Sequence, residues 1–301
     1  MKGIIIANNS TSLLHLVTNS ISKQLLPIYD KPIIYHSIAV LMLAKIRDIL
    51  IITDHKNISA FKKLLSNGHH LGINLSYQNQ SNTDDIAQIF LINEEFINGE
   101  RCALILDDSI YYGHNFIKRL QIISRRETGA TIFIHQTTEC NGFGAVEFDE
   151  NYKVLSIEKE SIKSKLPWIM TGICFYDNCI VEIAREIKST TRSKVKIDLI
   201  NQAYLNMSQL NVELLGRGFT WICLETPDNL IEGAQFVHTI ENRQGLKIAC
   251  LEEIAFQNGW LTIEQVIFQA KMISKTLYGQ YLLRIVEQNS KIIHSIEAIE
   301  S

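Results

Sequence analysis

Met1-Lys2-Gly3-Ile4-Ile5-Ile6-Ala7-Asn8-Asn9-Ser10-Thr11-Ser12-Leu13-Leu14 is the stretch on which the reading of the chain turns. An unbroken apolar run from Gly3 to Ala7 gives way to small polar residues. A run this short, without alternation, predicts a strand buried on both faces, as in a parallel sheet. In open α/β sheets, ligands sit at the carboxyl ends of such strands. A loop placed there offers backbone N–H groups to phosphate, and glycine serves it best because a Cβ blocks close approach. Residues 8–12 contain no glycine.

Outward from this strand the same rhythm continues. Runs at 48–53, 75–80 and 101–106 predict further strands. Helical spacing predicts helices over 32–46, 58–65 and from Asp84-Asp85 onward. Pro32 suits a first turn, and the two aspartates suit an N-terminal dipole. Strands alternating with helices predict an α/β fold with a doubly wound, mostly parallel sheet. Strands at 131–136, 144–148, 154–158 and 171–175 then follow closely, as antiparallel additions would. Helices over 180–188 and 197–207 and a strand at 212–215 restore the alternation. After Trp221 the pattern is nearly all helical, over 229–243, 263–270 and 275–287. Residues 1–225 are therefore expected to form the α/β domain, with 226–301 a helical C-terminal subdomain packed on it.

Composition narrows the function classes. The 301 residues are 46% hydrophobic, enough for a sizeable core. A net charge of −3 supplies no basic field for polymeric nucleic acid. No apolar stretch has the length of a membrane span, and Met1-Lys2 leads into a core strand instead of a signal peptide. The six cysteines (Cys102, Cys140, Cys174, Cys179, Cys223 and Cys250) show no CxxC spacing. They read as reduced thiols of a cytoplasmic protein.

The opening stretch and Ser22-Lys23-Gln24-Leu25-Leu26-Pro27-Ile28-Tyr29-Asp30-Lys31-Pro32 together resemble the sugar-nucleotide pyrophosphorylases, and specifically the bacterial glucose-1-phosphate thymidylyltransferase family. The resemblance runs from Met1 to about Glu287. It implies a Rossmann-like nucleotidyltransferase fold and the reaction of dTTP with glucose-1-phosphate to give dTDP-glucose and pyrophosphate. It also implies Mg²⁺ where the protein is active. Ser22 to Pro32 keeps the family's second block intact. In the first block Asn8, Asn9 and Thr11 stand where the family has glycines, and Leu13 where it has an arginine.

Nucleotidyl transfer needs a held triphosphate, a divalent ion on the α-phosphate and a sugar phosphate placed in line. By resemblance Lys23 is the phosphate-contacting cation, though without the motif a lone lysine reads as a surface residue. Ser10, Gln24 and Gln80 correspond to the nucleotide side, and Gly144, Glu158, Lys159 and Thr171 to the sugar side. Asp108 corresponds to one metal carboxylate, with a helix-capping aspartate as the plain alternative. The family's second metal aspartate falls on Cys223, in Trp221-Ile222-Cys223-Leu224-Glu225. A thiol is a soft ligand, whereas Mg²⁺ takes oxygen. Asp85 replaces a family glycine beside the base, and is expected to add bulk and negative charge. Tyr112, Gly113, His114 and Glu253 match segments that, by resemblance, belong to subunit packing and a second, regulatory nucleotide-sugar site. Gln257 stands near where the family more often has a basic residue.

The combined expectation is a thymidylyltransferase-like protein of dTDP-sugar metabolism that is catalytically impaired or inactive. Such a pseudoenzyme would have an oligomerisation or regulatory role and need no cofactor. Its partners would be a nucleotide-sugar ligand and other subunits, in a homo-oligomer (dimer or tetramer) or a hetero-oligomer with an active paralogue. An active glucose-1-phosphate thymidylyltransferase and a transferase repurposed for another substrate are the alternatives.

Overall fold

A computed structural model describes residues 1–7, 13–18, 21–80, 85–106, 108–137, 144–150, 154–158 and 167–300, with backbone alone at 15, 17, 158 and 289–300. The first strand, β1 (Lys2–Ala7), lies at the centre of a mixed sheet. It pairs in parallel with β2 (Asp48–Thr53), which pairs in parallel with β3 (Asn74–Asn79). On its other side β1 pairs in parallel with β4 (Cys102–Ile105). These four strands leave the sheet at one edge, so the segments after Ala7, Asn79 and Ile105 share the ligand-bearing end.

The sheet is wound on both faces, and the pleat shows why. Ile5, Ile49, Ile51, Ala103 and Ile105 join one apolar cluster with α1 (Ile34–Leu43) and α2 (Ile58–Leu65). Ile4, Ile6, Leu50, Ile52, Cys102 and Leu104 join another. That second cluster includes α3 (Ile86–Ile92) and, later in the chain, α5 (Ile180–Thr190) and α6 (Ile197–Asn206). Alternate residues thus feed opposite layers, and an unbroken apolar run is what two covered faces require. Gly3 allows α1 close access, since a Cβ there would come 2.7 Å from the Leu41 side chain.

Beyond β4 comes β5 (Ser109–Gly113), then α4 (Phe116–Ile123) and β6 (Ala130–Gln136). β7 (Ala145–Phe148), β8 (Val154–Glu158) and β9 (Trp168–Tyr176) complete the expected antiparallel additions. β9 runs antiparallel to β4, β6 and β7, and β8 antiparallel to β7. β10 (Leu210–Leu215) returns parallel to β6. Among the described residues two ribbons lie outside the sheet, and the longer one matters to the site. β11 (Phe219–Cys223) pairs antiparallel with β5, setting Cys223 opposite Ser109 and Phe219 opposite Gly113.

After β11 come α7 (Pro227–Gln244), α8 (Leu251–Gln257), α9 (Ile263–Met272) and α10 (Leu277–Glu300). Leu251, Ile254, Ala255, Val266, Tyr281 and Leu282 bury into the same cluster as Ile38 and Leu41 of α1. The expected helix over 32–46 is shorter, because Lys31–Pro32 pairs with Pro27–Ile28 in a small ribbon before α1 begins. Pro32 therefore ends a strand and does not open the helix.

Candidate active site

Four side chains define the phosphate end of the cleft. Lys23 and Gln24 sit in a buried 3₁₀ turn after the β1 loop, anchored by Leu14, Leu26 and Ile28 in a cluster with Ile110, Ile222 and Leu224. That cluster holds the turn against the β5–β11 ribbon. Asp108, immediately before β5, is buried. Its Oδ2 accepts from Lys23 Nζ at 3.0 Å and from Gln24 Nε2 at 2.8 Å. Ser22 Oγ donates to Gln24 Oε1, which turns the amide so that its nitrogen faces Asp108. The Asp108 carbonyl accepts from Leu224 N at 2.9 Å. Ribbon pairing thus brings the position of Cys223 beside Asp108, though the two are 115 positions apart in sequence.

This pairing permits a test of the expected metal. A Mg²⁺ ion demands near-octahedral oxygen ligation. Cys223 offers sulfur, and it is buried with Tyr111 and Trp221 in the main apolar cluster. The Asp108 carboxylate already takes an ammonium and an amide on one oxygen. Among the described residues no group of three His, Cys, Asp or Glu side chains converges as a metal site. The donor set does not suit Mg²⁺. Leu13, on the family's arginine position, is exposed and uncharged.

The remaining expected residues separate. Gln80 is buried at the end of β3, with its N–H bonded to the Thr53 carbonyl at 2.9 Å. Thr171 is fully buried, and its hydroxyl donates to the Phe133 carbonyl at 3.1 Å. It lies in a register shift of β9, where Gly172 at φ +83° presents its carbonyl to Leu106 N. At Gly144 a Cβ would meet Asp198 Oδ1 and Met170 Cε, each at 2.7 Å, so close packing of α6 requires the glycine. Ser10 and Lys159 lie outside the described residues, as does the Glu158 side chain.

Asp85 corrects an expectation. Its side chain does not charge the base wall: it caps α3 through the Gln88 N–H at 3.2 Å and forms an ion pair with Lys188. The negative charge is balanced within the protein.

A second cavity, of about 270 Å³, lies between α1, β5, α4 and α8. Tyr112, Gly113 and Glu253 line it, together with Gln257. His114 is exposed in the turn after β5 and is not on its wall. A Cβ at Gly113 would come 2.2 Å from Phe219 Cδ2, so the glycine serves the ribbon partner. Glu253 accepts from Tyr281 OH at 2.6 Å and from Gln257 Nε2 at 3.1 Å. Burial pushes its carboxyl above the usual range, against the Tyr281 bond.

Sequence reasoning missed His36, which also lines this cavity. Its imidazole is buried, and Nε2 has no hydrogen-bond partner among the described residues. Such an omission costs roughly 1–3 kcal/mol. Burial, and then the charge of Lys31, lower its pKa to about 3. Its position on the buried stripe of α1 was the available signal, since a histidine there needs an explanation. Beyond this wall Lys31 and Lys247 meet Asp30 and Glu241. Glu241 lies 2.9 Å from Lys31 Nζ and 2.7 Å from Lys247 Nζ, and Asp30 pairs with both lysines.

A centrally parallel sheet with its polar cleft at the strands' carboxyl ends defines a doubly wound α/β protein. The sequence matches the nucleotidyl transferase family over residues 2–240, and the chain belongs to that family. Within it the chain is 46% identical over 288 residues to the glucose-1-phosphate thymidylyltransferase of Neisseria meningitidis, spanning 96% of this chain and all of that one. It is 42% identical over 292 residues to the enzyme of the same name from Mycobacterium tuberculosis, again over 96% of this chain and all of the relative. A crystal structure of a Bacillus anthracis protein assigned as a glucose-1-phosphate thymidylyltransferase, in complex with sucrose, superposes with TM-score 0.70 at 28% identity. That match covers 78% of this chain and 94% of the other. A UDP-glucose pyrophosphorylase complexed with UDP-glucose shares the fold, with TM-score 0.64 at 17% identity over 79% of this chain and 98% of its own.

Proposed function

We propose that the chain is a thymidylyltransferase-like protein of dTDP-sugar metabolism in which nucleotidyl transfer is impaired or lost, and whose scaffold serves assembly or regulation. One observation carries the reading. The Asp108 carboxylate is held by Lys23 and Gln24, while Cys223, whose backbone pairs with Ser109 next to it, offers a buried thiol in place of a second oxygen ligand. Lys23 is thereby drawn from a phosphate onto a carboxylate, and Leu13 brings no charge to a departing pyrophosphate. An arginine serving transferring phosphate is worth roughly 10³–10⁵ in rate where it has been measured. Residues 1–225 form the transferase-like unit in this reading, and 226–301 the helical subdomain.

Pyrophosphate release from dTTP and glucose-1-phosphate with Mg²⁺ tests it. No turnover above background is expected. Leu13→Arg combined with Cys223→Asp is expected to restore little, because groups acting as a unit are strongly non-additive. Turnover in the ordinary range of about 1–10³ per second would establish the alternative, an active transferase. Gln24 and Gln80, kept in place, favour that alternative.

The retained helical wall supports assembly as a dimer or tetramer, with itself or with an active paralogue. Light scattering that finds only monomer, alone and with the paralogue, would contradict this. The cavity of Tyr112, Gly113 and Glu253 is the regulatory site in this reading. The setting is cytoplasmic, as suits Cys102, Cys174 and Cys250, buried thiols whose pKa values burial pushes up.

A further inference from the structure

Lys31 and Lys247 form one side of a further cavity, of about 460 Å³, which lies between the turn at 29–32, the first turn of α1, α8 and the start of α10. Both lysines pair with Asp30 and Glu241, so their charges are answered inside the protein. Glu252 is the remaining charge on the wall. It is only 9% exposed, and among the described residues it forms no ion pair. Its Oε2 accepts from Tyr278 OH at 2.6 Å and lies 3.9 Å from Cys250 Sγ, while Oε1 takes no bond from a described residue. The Glu252 charge also acts on His70, but burial lowers the pKa of that imidazole, so it is no counter-ion at neutral pH. A carboxylate this deeply buried is costly without a cation, and here the protein supplies none.

The rest of the wall narrows the chemistry of a guest. Tyr35 is half-buried there, and its hydroxyl makes no hydrogen bond to a described residue. Burial, and then the charge of Glu252, push its pKa up to about 12, so it stays a neutral hydroxyl at physiological pH. Ile273 and Leu277 add apolar surface. An anion would meet Glu252 while both ammonium groups are already engaged. A metal ion would lack ligands, since among the described residues no three His, Cys, Asp or Glu side chains converge. A neutral polyol would forgo the stronger, charge-assisted bond that a carboxylate offers. An alkylammonium meets every requirement: its N–H groups donate to Glu252 and to the Tyr35 oxygen, and its carbon chain covers Ile273 and Leu277.

We infer that this cavity binds a small primary amine in its protonated form, with Glu252 as counter-ion and the Tyr35 hydroxyl as a second acceptor. The site is separate from the cleft and from the cavity of Tyr112 and Glu253, and it stands whether or not the cleft transfers nucleotides.

Saturation-transfer NMR titrations of n-butylammonium, n-butanol and choline at pH 7 test this with the wild type, Glu252→Gln and Leu277→Trp. Glu252→Gln removes the charge and keeps the shape. Leu277 is 75% exposed at the rim, so a larger side chain there obstructs the space without entering the core. Circular dichroism checks that both variants fold, and Leu277→Trp carries the test if Glu252→Gln does not. The wild type is expected to bind n-butylammonium at least about tenfold more tightly than n-butanol, which has the same chain without the charge. Choline, which is charged but has no N–H donor, is expected to bind about tenfold more weakly than n-butylammonium. Glu252→Gln is expected to weaken n-butylammonium by about tenfold or more and leave n-butanol unmoved, and Leu277→Trp to weaken both. Equal binding of the amine and the alcohol would reduce the site to an apolar hollow and overturn the inference. Choline binding as tightly as n-butylammonium would overturn the assignment to a primary amine. Amine binding indifferent to both substitutions would place it elsewhere, and no saturation transfer to n-butylammonium in the wild type would leave the cavity to water; either result overturns the inference.

Discussion

The phosphate end of the cleft and the charged knot beside α7 use the same kinds of side chain and come out differently. In the knot, Lys31 and Lys247 meet Asp30 and Glu241, two charges against two, and Glu241 also takes the Ile248 N–H at 3.0 Å. Every charge there has its counterpart inside the protein, and the knot ties the turn before α1 to α7. In the cleft, Lys23 and Gln24 close on Asp108, next to the strand position of Cys223. A cleft built for transfer must keep charge in reserve for substrate and metal, whereas a structural knot must keep none. On the reading proposed above, the cleft has become structural, and the contrast sets what the chain retains against what it would have lost.

The largest expected effect lies in the knot. Glu241→Ala leaves two buried ammonium groups with Asp30 alone, and is expected to cost about 3–5 kcal/mol in a urea unfolding experiment. A change below about 1 kcal/mol would show the knot to be solvated and the contrast overdrawn.

The cavity wall gives a smaller, pH-dependent effect. His36, with Lys31 and Asp30 the charges acting on it, has its pKa lowered from 6.5 to about 3. The folded protein therefore binds fewer protons here than the unfolded chain. This contribution to stability is whole above pH 6.5 and falls as pH drops toward about 3. The slope is up to about 1.4 kcal/mol per pH unit. Unfolding midpoints followed from pH 7 downward should show a shallower decline in His36→Gln. Parallel declines in the two proteins would mean that a partner reaches the imidazole when folded.

How much of this was legible follows from distance along the chain. The β1 run, the alternation after it and the antiparallel additions were readable because each rests on local periodicity. The β5–β11 ribbon was not. Ser109–Gly113 and Phe219–Cys223 become strands by meeting each other, and nothing near either announces it. Leu251–Gln257 is too short for helical periodicity to declare itself. Asp85 read as a charge against a base, because Lys188, 103 residues away, is adjacent only in the fold. For the site, Lys23, Asp108 and Cys223 were found by resemblance. The capture of the first by the second is a tertiary fact, as is the orphaned nitrogen of His36.

The central claim is that the cleft no longer assembles a metal centre. Electron paramagnetic resonance of Mn²⁺ tests it directly, because the sharp spectrum of the free ion is lost on binding. The account predicts that the wild-type protein leaves the free-ion signal unchanged, while Cys223→Asp, returning a second oxygen ligand beside Asp108, captures a measurable fraction. Stoichiometric uptake by the wild type that Cys223→Asp does not improve would contradict it.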